Sequence, residues 1–260
     1  MKKIIFLVNL FYFLSIQIVF SGDFIQKNFP CKIKECEPIW GDTITRYYKG
    51  DPKLPAIIWY QGGGGGMMDL GWSPQRNLEG KIDFIIMASP VPMINKGQHG
   101  KAKNSDKKEL IYRSREVIEY YKKKLNKPIW LGGHSNGGPR AVAVIMGKDK
   151  YSENLAGLIF SSANVGRDNQ IGVYRIKYQI NLPIMIVNHI RDNSPDTSVA
   201  KQKWLHKELS KRNNDKTELV LLTGGDSKSY TDYDNVHHMF RSNLQEYADS
   251  ILKFIKENNK

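Results

Sequence analysis

The stretch Pro128-Ile129-Trp130-Leu131-Gly132-Gly133-His134-Ser135-Asn136-Gly137-Gly138 constrains the fold of this chain more than any other. A short apolar run leads into Gly133-x-Ser135-x-Gly137, and a helix-like segment follows over 136–147. This order predicts a strand that turns sharply into a helix, with a serine held at the tip. Such a turn is strained and crowded, and side chains at the glycine positions would collide with the neighbouring strand and helix. Pro139 falls in the first helical turn, where its missing N–H is harmless.

The flanking sequence repeats the same alternation. Apolar runs predict strands over 54–61, 82–88, 128–132, 155–161, 182–188 and 218–223. Between them, Leu110, Val117, Ile118, Tyr121 and Leu125 recur at helical steps within 106–126, with Asp106 and Glu109 placed to cap its start. Further helices are expected over 199–211 and at the carboxyl end, where Phe240, Leu244, Tyr247, Ile251 and Phe254 line one face. Residues 42–50 offer an additional antiparallel strand. The expected fold class is α/β, a mostly parallel sheet with helices on both faces.

Ligands of such sheets bind at the carboxyl ends of the strands. Those ends carry Gly62–Gly66, Ser135, the Asn188–Asp196 loop and the segment Gly224–Phe240. A serine hydroxyl needs a base to act as a nucleophile, and the base needs an acid that fixes its tautomer. The loop after 182–188 offers Asp192 or Asp196, and the segment before the last helix offers His237 or His238. The run Gly62-Gly63-Gly64-Gly65-Gly66 lacks the lysine and hydroxyl residue of a phosphate-binding loop and does not match a dinucleotide fingerprint. Its place after a strand suits an oxyanion hole, with one N–H from Gly63 or Gly64 and a second from Asn136, which follows the serine.

Taken in order, Tyr60-Gln61-Gly62-Gly63-Gly64-Gly65, Gly133-His134-Ser135-Asn136-Gly137, Ile186-Val187-Asn188-His189-Ile190-Arg191-Asp192 and His237-His238-Met239-Phe240 resemble the α/β-hydrolase superfamily, in particular its small, exported, lidless bacterial serine hydrolases. The resemblance spans most of residues 54–257. It implies an α/β-hydrolase fold with a minimal cap or none and a Ser135–His238–Asp192 triad. In similar proteins the acid follows a His-x-x-Asp-like stretch, which selects Asp192. The base precedes a small residue and an aromatic, which selects His238, although Met239 stands where glycine is usual. The implied activity is hydrolysis of carboxylic esters through an acyl-enzyme, without metal or organic cofactor. Fold and triad do not fix the leaving group. A peptidase, amidase or acyltransferase on the same fold, or a binding protein without turnover, stays open.

The remaining features bear on location and substrate. Lys2-Lys3, the apolar run Ile4 to Phe20 and the small pair Ser21-Gly22 read as a signal peptide over 1–22, shorter in its apolar part than the ~20 residues a membrane span prefers. One α/β domain is then expected over 23–260, periplasmic or secreted, with membrane contact only through the signal peptide. Cys31 and Cys36 fit a disulfide in such a compartment, and without neighbouring histidines they make a poor zinc site. The formal charge of +13 is spread along the chain, and no nucleic-acid motif accompanies it. The 162–181 segment is short for a helical cap, so the expected substrate is a dissolved small-molecule or polymer-borne ester. Trp59, Met67, Met68 and Trp72 suit either an acyl pocket or the core. Lys96, His99, Lys101 and Lys103, in the loop 90–104, suit a solvated loop or a preference for anionic substrates.

Overall fold

The structure is a computed structural model that describes residues 24–34, 36, 41–63, 74–88, 104–145, 150–165, 180–212, 216–225, 237–238, 240 and 243–259. Residues 1–22, expected to be a signal peptide, Gly64, Met67, Met68, Trp72, residues 96–103 and residues 166–179 of the expected short cap segment lie outside the described residues.

Eight strands form one sheet. They are β1 (Phe24–Phe29), β2 (Thr43–Tyr48), β3 (Ala56–Tyr60), β4 (Asp83–Ala88), β5 (Ile129–His134), β6 (Gly157–Ser161), β7 (Ile184–His189) and β8 (Thr217–Leu222). Their spatial order is β1-β2-β4-β3-β5-β6-β7-β8. The six strands from β3 to β8 run parallel, and β1 and β2 add an antiparallel edge beside β4. Among the described residues, five α-helices accompany the sheet: α1 (Gln75–Leu78), α2 (Asn104–Leu125), α3 (Gly137–Ile145), α4 (Val199–Ser210) and α5 (Leu244–Asn258).

The continuous apolar runs follow from burial on both faces. Along β3, Ala56, Ile58 and Tyr60 face a core shared with Val117, Ile118 and Tyr121 of α2, Val142 of α3 and Leu205 of α4. Ile57 and Trp59 face the opposite core, with Leu78 of α1 and Tyr247, Ile251 and Phe254 of α5. This is the two-residue alternation of a strand. Fully burying a side chain such as Ile251 stabilises the fold by about 1.5–3 kcal/mol. Trp59 is fully buried and belongs to the core, and its ring lies 5.9 Å from that of Phe84.

Two expectations change. Strand β1 was not apparent because Phe24-Ile25-Gln26-Lys27-Asn28-Phe29 has no apolar run. It is an edge strand held by its backbone pairing to β2, with most side chains exposed or half-buried. Helix α2 starts at Asn104, ahead of the expected cap at Asp106, and Glu109 is instead engaged by Arg113 one turn on, with the Arg113 Nε–H donating to Glu109 Oε1 over 2.8 Å. Cys31 and Cys36 form a disulfide just after β1, which on loop entropy contributes about 2 kcal/mol.

A closed ionic cluster braces the amino-terminal ends of the strands. Asp83, first in β4, accepts hydrogen bonds at Oδ1 from the Tyr47 hydroxyl and the Gly50 N–H, both over 2.8 Å. Its Oδ2 is paired with Lys127, which also donates to the Asp51 carbonyl over 2.9 Å. No helix among the described residues is long and apolar enough to cross a membrane.

Candidate active site

At the opposite, carboxyl ends of the strands, β5 runs into α3 through a tight turn. Ser135 sits at its tip with φ of 53°, a left-handed backbone that non-glycine residues rarely adopt. The turn is held on both sides. The Ser135 N–H donates to the Ser161 carbonyl over 2.9 Å, and the Ser135 carbonyl accepts from the Asn164 N–H over 3.0 Å and the Gly138 N–H over 3.2 Å. The glycines permit this packing. A Cβ on Gly133 would lie 2.4 Å from the Gly137 backbone, and one on Gly137 would lie 2.2 Å from the Tyr60 carbonyl oxygen. The helix therefore starts directly against the end of β3, which brings the loop after β3 beside the serine.

The loop after β7 supplies the carboxylate. Asp192 is buried, and each oxygen is engaged. Its Oδ1 accepts from the Ser194 N–H over 2.9 Å, an Asx turn. Its Oδ2 accepts from the Thr197 hydroxyl and from His238 Nδ1–H, both over 3.0 Å. With Nδ1 donating, Nε2 is left as the basic nitrogen of His238. The connection of His238 to Ser135 runs through packing: the His238 ring lies 4.8 Å from that of His134, the residue before the serine. Phe240, also at positive φ, stacks on Tyr247 of α5 at 4.2 Å and so anchors the histidine-bearing segment in the core.

The competing residues are placed elsewhere. Asp196 accepts at its backbone carbonyl from the Val165 N–H over 3.0 Å, and its carboxylate faces Lys201 at 3.4 Å. His237 stacks on His189 with centroids 4.4 Å apart. Burial first, then His189 and Arg191, hold the His237 imidazole below its ordinary pKa, with Asp192 acting in the opposite direction. His189 is itself occupied, donating from Nε2 to the Gly224 carbonyl over 2.8 Å and accepting at Nδ1 from the Arg191 N–H over 3.1 Å.

Gly63 lies in the loop after β3 at φ of 55°. In this loop it is Gly62 that touches the serine, since a Cβ there would come 3.1 Å from Ser135 Cβ. Asn136 follows the serine at the start of α3, where backbone N–H groups have no partner within the helix. Its side chain is taken up by the Asn164 amide, which donates to Asn136 Oδ1 over 3.1 Å.

Three contributors escaped the sequence reading. Thr197 has no motif, only its place five residues after Asp192. Ser161 accepts from the Tyr247 hydroxyl over 2.6 Å and lies 3.1 Å from His134 Nδ1, joining α5 to the residue beside Ser135. Burial above all, and then His238, hold the His134 imidazole well below its ordinary pKa, against the opposing effect of Ser161. Arg140 donates to the carbonyls of Gln61 and Gly63 over 2.9 and 3.1 Å. Its signal was available, because it is the one charged residue in the apolar helix α3. Among the described residues, one group of potential metal ligands converges, Cys31, Cys36 and Glu109. The two sulfurs are bonded to each other, and Glu109 is paired with Arg113.

No family model matches the chain, and no curated protein matches it in sequence. Solved structures do match in fold. An α/β serine hydrolase homologue from Coxiella burnetii aligns over 91% of this chain and 99% of its own, with a TM-score of 0.58 and 17% identity. Est1E from Butyrivibrio proteoclasticus aligns over 90% of this chain and 98% of its own, with a TM-score of 0.61 and 14% identity. XC6422 from Xanthomonas campestris, a serine hydrolase without a lid, aligns over 92% of this chain and 96% of its own, with a TM-score of 0.53 and 13% identity. The chain has the α/β-hydrolase fold.

Proposed function

We propose that this protein is an exported serine hydrolase that cleaves carboxylic esters, with Ser135 as nucleophile, His238 as base and Asp192 as acid. The observation that carries the reading is the buried 3.0 Å bond between His238 Nδ1 and Asp192 Oδ2, set at the strand ends beside a serine held in a left-handed turn. Asp192 holds the ring in the tautomer whose Nε2 takes the serine proton, and it stabilises the imidazolium that results. Ser135 Oγ attacks the acyl carbon, and the carbonyl electrons move onto oxygen. The N–H groups of Gly63 or Gly64 and of Asn136 receive that oxyanion. The intermediate collapses as the imidazolium returns its proton to the leaving alcohol. Water, deprotonated by His238, then attacks the acyl-enzyme, and the carboxylic acid departs.

The substrate class is a dissolved or polymer-borne ester, approached through an open site with a minimal cap. The similarity to a lidless hydrolase supports this. The signal-like residues 1–22 and the disulfide support export.

The decisive experiment is labelling with an organophosphonate together with turnover of short-chain esters below their solubility limit. Wild type should be labelled on Ser135 and turn over, and Ser135→Ala should do neither while keeping its melting temperature. Equal labelling of both proteins would remove Ser135 as nucleophile. Amide turnover that outpaces matched esters would move the protein to the peptidases, and labelling only above a micelle threshold would show a lid.

A further inference from the structure

Arg140 is buried to 1% exposure, yet no carboxylate pairs with it among the described residues. A buried cation is costly unless its surroundings compensate it. Here the compensation is two carbonyls of one loop. Nη1–H donates to the Gln61 oxygen over 2.9 Å and Nη2–H donates to the Gly63 oxygen over 3.1 Å. The Nε–H remains buried and unpartnered. Burial lowers the guanidinium pKa to about 10, so the group is charged at neutral pH.

The position of the two carbonyls gives this arrangement its meaning. They flank Gly62, the loop residue against Ser135. The peptide that carries the Gly63 N–H therefore lies between two clamped peptides, in a run of glycines with no side chains of its own to fix it. Gly63 sits at positive φ, a conformation that glycine enters and leaves freely. Arg140 itself projects from α3, whose first turn follows the nucleophile. One side chain thus ties the loop to the helix on which the serine is mounted.

Resting on the serine-hydrolase reading above, we propose that Arg140 is a positioning residue for the oxyanion loop: it locks the Gln61–Gly63 backbone against the nucleophile helix, and its positive charge, which no described carboxylate neutralises, favours the anionic tetrahedral intermediate over the neutral ester. A preorganised donor set gains its effect from being fixed before charge develops. Loosening the loop therefore acts on the chemical step more than on substrate binding.

The test compares wild type, Arg140→Lys and Arg140→Met. Lysine keeps the charge and cannot reach both carbonyls at once, and methionine removes both charge and clamp. Expected losses in kcat are on the order of tenfold for Arg140→Lys and a hundredfold for Arg140→Met, with KM changed less than about threefold. Affinity for an alkylboronic acid, which forms a tetrahedral anion on serine, should fall by the same factors. Arg140→Lys with wild-type kcat and boronate affinity, whatever its melting temperature, would overturn the proposal. That variant keeps it falsifiable even if Arg140→Met fails to fold. Wild type must first be labelled on Ser135 by the organophosphonate. Its failure there would remove the hydrolase reading, whereas labelled wild type with an indifferent Arg140→Lys removes only the role of Arg140.

Discussion

Each end of the sheet holds a cation, half-buried Lys127 at one and buried Arg140 at the other, and the two are treated differently. At the amino-terminal ends, Lys127 has a carboxylate partner, and that carboxylate is saturated by the Tyr47 hydroxyl and the Gly50 N–H. At the carboxyl ends, among the described residues, Arg140 has only carbonyls, and buried nitrogens of Arg140, His134 and His237 have no partner. The first cluster is closed: every charge is answered within it, so it fixes β2, β4 and the approach to β5. The second is open: among the described residues around a serine in a strained turn, the cation is met by carbonyls and by no carboxylate. Buried nitrogens without a partner occur in the core as well, on Trp59 and Trp130, so what sets the serine end apart is this cation without a neutralising carboxylate.

Variants at the two ends test that contrast. The largest effect is expected at the acid. Asp192→Asn should cost about four orders of magnitude in kcat, the size expected when a histidine loses the partner that sets its tautomer. Asp196→Asn, whose carboxylate faces Lys201, should stay within a few-fold. His238→Ala and His237→Ala should divide in the same sense. Steady-state ester kinetics reads all four, and an inactive Asp196→Asn or His237→Ala would move the acid or base to that residue.

At the closed end the loss should be in stability and not in rate. Asp83→Asn strands Lys127 and should lower unfolding free energy by about 3 kcal/mol, with kcat/KM unchanged under conditions where it is folded. Urea titration and ester turnover on the same sample measure both. A large fall in kcat/KM of folded Asp83→Asn would break the contrast.

A smaller effect is expected at Thr197, whose hydroxyl touches both Asp192 and His238 at 3.0 Å. Its backbone is pinned independently, because its carbonyl accepts from Asn188 Nδ2–H over 2.9 Å. Thr197→Val keeps the shape and removes the hydroxyl, so kcat should fall about tenfold, the size of one hydrogen bond to a charged group. Thr197→Ser should restore most of it. Equal rates for valine and serine would show that the hydroxyl only packs.

The smallest effect concerns acid stability. Burial depresses the pKa of His134 in the folded chain, whereas in the unfolded chain the residue titrates near its ordinary value of about 6.5. The unfolded state then binds a proton that the folded state refuses. The stability present above about pH 6.5 is lost as the pH falls toward the folded value, by at most about 1.4 kcal/mol per pH unit for one proton. His134→Gln should flatten the fall in melting temperature between about pH 6.5 and 5, and an unchanged slope would contradict a buried, uncharged imidazole.

What the amino-acid sequence determined by itself was the order of strands from β3 onward, the helices after β4 and the local shape of the elbow; the short helix α1 carried no signal in that reading. Apolar runs report burial on both faces. The glycine at 133 reports a contact between β5 and the helix that follows it, where a methyl group would meet the Gly137 backbone, whereas the glycine at 137 meets the end of β3, far away in the chain. The tertiary structure decided what depends on long-range placement. Asp192 and Asp196 stand in one loop with the same chemistry, and His237 and His238 are neighbours. Only the packing of the β7 loop against the segment before α5 brings Asp192 to His238 and His237 onto His189, while Asp196 turns to Lys201 close by in the chain. Strand β1 likewise exists through its partner β2, because its side chains carry no burial pattern of their own. Arg140 was visible as a charge in an apolar helix, but its ligands lie some eighty residues away, on a loop that reaches it only when β3 and β5 pair in parallel.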